Sequence, residues 1–77
     1  MKIKSGIIIG ASKGIGKELS QAFAQNKINL TLAARSKNKL KNTEKEIYLT
    51  TKTNIQTVIT DIANYNDVKI LIKKHLH

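Results

Sequence analysis

The residues best suited to chemistry are three glycines at a fixed spacing, Gly10, Gly14 and Gly16, which enclose Ala11, Ser12, Lys13 and Ile15. They follow the apolar run Ile7-Ile8-Ile9 and open an amphipathic stretch, so a strand is expected to turn into a helix there. Such a junction presents unpaired backbone N–H groups and the positive end of a helix dipole, a combination that suits a pyrophosphate. Side chains would obstruct the anion. Gly10 is expected to make the tight turn, Gly14 to let backbone approach phosphate, and Gly16 to let the helix pack closely on the sheet.

The second feature lies about 20 residues further on, where a second apolar run ends in Ala33-Ala34-Arg35-Ser36. In dinucleotide sites a carboxylate at this point accepts hydrogen bonds from the ribose 2′-hydroxyl, but here the place is held by Ala34. Arg35 follows, and its planar guanidinium can grip a 2′-phosphate through two charge-assisted hydrogen bonds and stack on adenine. Ser12, Lys13 and Ser36 complete the expected pocket, which favours NADP(H) over NAD(H).

The elements that must position these groups alternate regularly. Ile3 to Ile9 reads as a first strand, buried on both faces of a parallel sheet. A helix starts at the glycines with Ile15, Leu19, Ala22 and Phe23 on its apolar face, opposite Lys17, Glu18, Gln21 and Gln25. Asn26-Lys27 ends it, with Asn26 taking the left-handed cap. Ile28 to Ala34 is the second strand. Ser36 caps a second helix with Leu40, Thr43 and Ile47 inward, Tyr48 at the margin, and five lysines between Lys37 and Lys52 in water. Residues 50–54 form a loop before the third strand, Ile55 to Thr60. Asn64 and Asp67 start a third helix whose inward face carries Val68, Leu71, Ile72 and His75. This β-α-β-α-β-α order implies right-handed crossovers and a parallel three-stranded sheet in the order 3-2-1, half of a doubly wound α/β fold.

Composition narrows the remaining classes. The chain has 77 residues, enough for one small domain over 1–77, and no cysteine to staple it by disulfides. Its net charge of +9 invites a nucleic-acid reading, but the lysines are scattered along every segment, and one Phe and two Tyr offer few rings for base stacking. Nucleic acid is therefore not the expected partner. The basic start and the short apolar run Ile7-Ile8-Ile9 fit neither a secretion signal nor a membrane span, so a cytoplasmic protein is expected.

The segment Ile9-Gly10-Ala11-Ser12-Lys13-Gly14-Ile15-Gly16 is similar to the T-G-A-S-x-G-I-G fingerprint of short-chain dehydrogenases/reductases, differing only in its first position. Leu30 to Ser36 resembles that family's second strand and turn, and Asp61-Ile62 its acidic pair after the third strand, so the likeness spans the whole chain. It implies the N-terminal part of a Rossmann domain, with cofactor contacts from Gly10, Ser12, Lys13, Gly14, Ile15, Gly16, Arg35, Ser36, Asp61 and Ile62. It further implies that Asp61 bonds the adenine amino group beside the Ile62 backbone; position alone equally allows Asp61 to be a turn residue. Two departures stand out: Ile9 replaces the usual threonine, and Lys27 the glycine common after the first helix.

In that family hydride passes between nicotinamide and a carbonyl or alcohol, helped by a tyrosine, a lysine and a serine from the second half of the fold. No catalytic residue is assigned here. Tyr65 and Lys69 match Y-x-x-x-K but lie on the wrong helix, and His75-Leu76-His77 lacks further partners for a metal. The expected function is that of an NADP(H)-dependent oxidoreductase present as its cofactor-binding portion, or alternatively a catalytically inactive nucleotide-binding or self-associating module. The first strand, central in a complete fold, becomes an edge here, so a homo-oligomer through that edge or the uncovered helix faces is expected.

Overall fold

The computed structural model describes residues 5–12 and 14–76. Three strands, β1 (Ser5–Ile9), β2 (Asn29–Ala34) and β3 (Gln56–Ile59), alternate with helices α1 (Gly14–Gln25), α2 (Lys37–Thr51) and α3 (Tyr65–Leu76). The strands form one sheet in the order β1-β2-β3. Both pairings are parallel, with Ile8 opposite Leu32 and Ala33 opposite Val58, which is the half of a doubly wound sheet that the alternation predicts. The expected strand residues Ile3 and Lys4 lie outside the described residues.

Because successive side chains of a strand point to opposite faces, β2 feeds two cores. Leu30, Leu32 and Ala34 pack with Ala24, Leu40 and Ile47 under α1 and α2. Ala33 packs on the other face with Val58 and with Leu71 of α3. His75 also faces inward from α3: the Thr31 hydroxyl donates to Gln56 Oε1 at 3.0 Å, and its oxygen accepts from His75 Nδ1 at 2.7 Å. An ion pair of 2.6 Å from Lys17 to Glu46 ties α1 to α2. Among the described residues no helix is long and apolar enough to cross a membrane.

The buried stripe of α1 differs from the one its apolar spacing predicts. Ser20 and Ala24 are buried, whereas Ile15 is 80% and Leu19 44% exposed and Ala22 is exposed. The reason is proximity: where a helix presses onto a glycine turn and a sheet, small residues at i and i+4 fit best. Ser20 removes its own polarity by donating to the Gly16 carbonyl at 2.7 Å. On α3, Ile72 is likewise 47% exposed, and Tyr48 of α2 lies outside the core.

Both turns after the first two helices use lysine where glycine is favoured. Lys27, not Asn26, takes the left-handed conformation (φ 59°), and its N–H reaches the Ala24 carbonyl while that of Ile28 reaches Phe23, the paired bonds of a Schellman cap. The side chain offsets the backbone strain, since Lys27 Nζ donates to the Thr51 carbonyl at 2.8 Å. Asn26 instead donates its side-chain amide to Ala22. Thr50 and Thr51, expected in a loop, are helical: each hydroxyl bonds back to a carbonyl three or four residues earlier, and Lys52 (φ 57°) ends the helix.

Candidate functional site

At the C-terminal ends of the strands the chain makes three turns side by side, the place where open α/β sheets bind ligands. The first leaves β1 at Gly10 (φ 77°), whose N–H and that of Ala11 both donate to the Ala33 carbonyl, at 2.8 and 3.3 Å. These bonds clamp the turn onto β2. Gly14 (φ 62°) starts α1 in a conformation that side chains resist, and a β-carbon there would meet nothing within 4 Å, so the space above it is open. At Gly16 a β-carbon would collide with the Gly10 carbonyl, which explains that glycine by packing alone. Lys13 lies outside the described residues.

The second turn follows β2. Ser36 is the N-cap of α2, its hydroxyl accepting from the Lys39 N–H at 3.3 Å, as its residue type predicts. Thr43, buried on the next turn of α2, directs one hydroxyl toward both the Lys39 carbonyl (3.1 Å) and the Ser12 carbonyl (3.5 Å), joining the helix to the glycine turn. The third turn follows β3, where Thr60 N–H donates to Ala34. Asp61 Oδ1 accepts from Ala63 N–H at 3.0 Å, and Asp61 N–H donates to Asp67 Oδ2 at 2.9 Å, so Asp61 does serve as a turn residue.

Between the three turns lies a cleft of about 430 Å³. Of the residues singled out in the sequence, Gly10, Ser12, Arg35, Ser36 and Ile62 line it together. Gly14 and Ile15 open onto an adjoining surface, and Asp61 stands outside the lining. Lys39, Thr60 and Ile9 also line it and were not anticipated. Thr60 and Ile9 are strand ends that the topology alone brings there, whereas Lys39 carried a signal, being the third residue of a helix capped beside Arg35.

Among the described residues two cations, Arg35 and Lys39, and no carboxylate face this cleft. Its remaining walls are apolar at Ile9, Ala34 and Ile62, so the arrangement can take a flat, partly apolar group carrying an anion. Tyr65 and Lys69 stand apart at the start of α3, with the ammonium 5.3 Å above the ring in a surface cation–π contact. Among the described residues no three His, Cys, Asp or Glu gather as a metal site.

Known proteins share these features. The family model for short chain dehydrogenase matches residues 4–76. A very-long-chain 3-oxoacyl-CoA reductase from Vanderwaltozyma polyspora is 36% identical over 88% of this chain and 21% of its own. An alcohol dehydrogenase from the archaeon Thermococcus sibiricus, solved with 5-hydroxy-NADP, superposes at a TM-score of 0.88 with 29% identity, covering 97% of this chain and 32% of that one. A short chain dehydrogenase/reductase from Burkholderia phymatum, solved with NAD, gives 0.90 at 25% identity, covering 97% and 26%. The chain thus spans about a fifth to a third of the proteins it matches. The glycine turn, the parallel β1-β2-β3 sheet and the match over nearly every residue lead to one conclusion: the chain belongs to the short chain dehydrogenase family.

Proposed function

We propose that the cleft is the adenine side of an NADP(H) site, and that these residues are the cofactor-binding portion of an NADP(H)-dependent oxidoreductase. The observation that carries the reading is Arg35 facing a cleft whose lining, among the described residues, contains no carboxylate, with Ala34 at the place where an acid would hold the 2′-hydroxyl of NAD(H). The structural neighbours were solved with both kinds of dinucleotide, so the preference rests on these residues and not on kinship.

The residues present fit the group. The free N–H groups of the first turn of α1, with Gly14 open above them, receive the pyrophosphate, while Ser12 and Ser36 offer hydroxyls beside it. Arg35 takes the 2′-phosphate and Ile62 flanks the adenine, while Asp61, outside the lining with Oδ1 on the Ala63 N–H, keeps from the family resemblance alone its proposed role toward the adenine amino group. Lys13 belongs to the same proposed set. When bound, the cofactor supplies hydride chemistry; no catalytic group is assigned to these 77 residues.

Calorimetric titration tests this. NADPH is expected to bind at least about tenfold more tightly than NADH, a difference that Arg35→Ala reduces, because the variant loses charge-assisted bonds to the 2′-phosphate. Equal affinity for the two cofactors in the unaltered protein contradicts the reading.

A second reading, self-association, is favoured by the β1 edge. Ile15 and Leu19, each two residues from Lys17, stand about 160° round α1 from that α2-facing lysine, hence toward β1. On α3, Ile70 and Lys74 line the β3 side with Lys37 and Lys41, which leaves Ile72 and Leu76 toward β1. Lysines thus guard one edge, as in many sheets that avoid pairing, while apolar side chains flank the other. A second copy adding its own β1 would cover this edge, giving an isologous dimer. Light scattering is expected to report a dimer that Ile15→Asp with Ile72→Asp dissociates; a monomer at high concentration refutes it.

A further inference from the structure

We infer that Lys39 is a second ligand of the 2′-phosphate and shares with Arg35 the discrimination between phosphorylated and unphosphorylated ribose. This rests on the NADP(H) reading and adds a residue and a division of labour to it.

A phosphate monoester carries about −1.5 to −2 at neutral pH, so a single guanidinium leaves part of it uncompensated. Arg35 and Lys39 lie on either side of the Ser36 cap and line the same cleft, and among the described residues no carboxylate joins them there. Among those residues they are the two cations that can match the dianion.

Lys37 and Lys45, on the same helix, line other clefts, and several further lysines are bonded elsewhere. Lys17 pairs with Glu46, Lys41 with Glu44 and the Thr57 hydroxyl, Lys27 with the Thr51 carbonyl, and Lys52 and Lys69 lie over tyrosine rings. Among the described residues the Lys39 ammonium has no acidic partner. Its backbone, by contrast, is fixed at both ends: its N–H by the Ser36 hydroxyl and its carbonyl by Thr43, which also reaches the Ser12 carbonyl of the glycine turn. The backbone that carries this side chain is therefore tied to both walls of the cleft, which fixes where the ammonium can reach.

The test compares 2′,5′-ADP with ADP by calorimetry on the whole chain. Lys39→Gln is expected to weaken 2′,5′-ADP about tenfold while leaving ADP within about twofold, and Lys39→Arg to retain most of the affinity. Lys45→Gln, on an exposed part of α2, serves as the control for net charge, and thermal melting checks that each variant folds. If Lys39→Gln binds 2′,5′-ADP as the unaltered protein does while Arg35→Ala does not, Lys39 is a solvated lysine and the inference fails, with the NADP(H) reading intact. If Lys39→Gln weakens both ligands equally, its effect is general attraction and the inference also fails. If the unaltered protein does not distinguish the two ligands, the NADP(H) reading fails and takes this inference with it.

Discussion

Gly16→Ala is expected to remove about 3 kcal/mol or more of folding stability, although it adds one methyl group. An added β-carbon would stand 2.9 Å from the Gly10 carbonyl carbon, closer still to its oxygen, and 3.3 Å from Ala11 Cα. All three are backbone atoms, and the turn cannot retreat without breaking the bonds of Gly10 and Ala11 to the Ala33 carbonyl. A chain of 77 residues has about 4–12 kcal/mol in total, so the loss is a large fraction of the whole. Urea denaturation followed by circular dichroism reads it directly. Gly14→Ala is the contrast: its φ of 62° costs about 1–2 kcal/mol, but the space is open. Equal midpoints for the two variants would show that the helix does not press on the turn as described.

Leu32→Ala is the other large effect. Leu32 is fully buried at the centre of the middle strand, in the core that holds α1 and α2. Truncating such a leucine costs about 2–5 kcal/mol, from lost transfer energy and from the cavity left behind. The core has few large members, Leu40 and Ile47 being the other large aliphatics fully buried in that cluster, so neighbours have little freedom to close the gap. The melting temperature should fall by about 10 °C or more, since each kcal/mol is worth about 4–8 °C at this size. Leu49→Ala, at a position 58% exposed, should barely move it. A Leu32→Ala melt within 3 °C of the unaltered protein, on that same scale, would mean that the sheet is not the stabilising layer.

The parts of the fold that could be read from residue order are those fixed by local rules. The Ser36 and Asn64 caps and the tight turn at Gly10 each follow from what one residue type does to its own backbone, and the parallel pairing from the alternation of strands and helices. Of the inward face of α1 only Phe23 was legible, because the residues buried there are Ser20 and Ala24, pressed on the turn with Gly16, and small residues leave no hydrophobic period. The lysine caps were hidden for a related reason. Lysine has no preference for positive φ, and Lys27 holds it through a bond to Thr51, 24 residues away. His75 was placed on the correct face of α3, but its partner Thr31 is set by strand register, which spacing within one helix does not encode.

The candidate site divides in the same way. Gly10, Ser12, Arg35 and Ser36 were recognisable by type and spacing, Ile62 by the family resemblance, and the five share one cleft. Lys39 was not, because among so many lysines only the phase of a capped helix separates one facing the cleft from those facing water.

The most direct measurement is a nitrogen–proton correlation spectrum of the labelled chain during addition of 2′,5′-ADP. Saturable shifts should concentrate at the amides of Ser12, Gly14, Ile15, Gly16, Arg35, Ser36 and Ile62, which surround the cleft and its glycine turn. Asn29, Asn54 and Gln56, which line a separate cleft beside His75, should stay still. Shifts spread evenly over the lysine-rich surface, or none at millimolar ligand, would contradict a nucleotide site at the glycine turn.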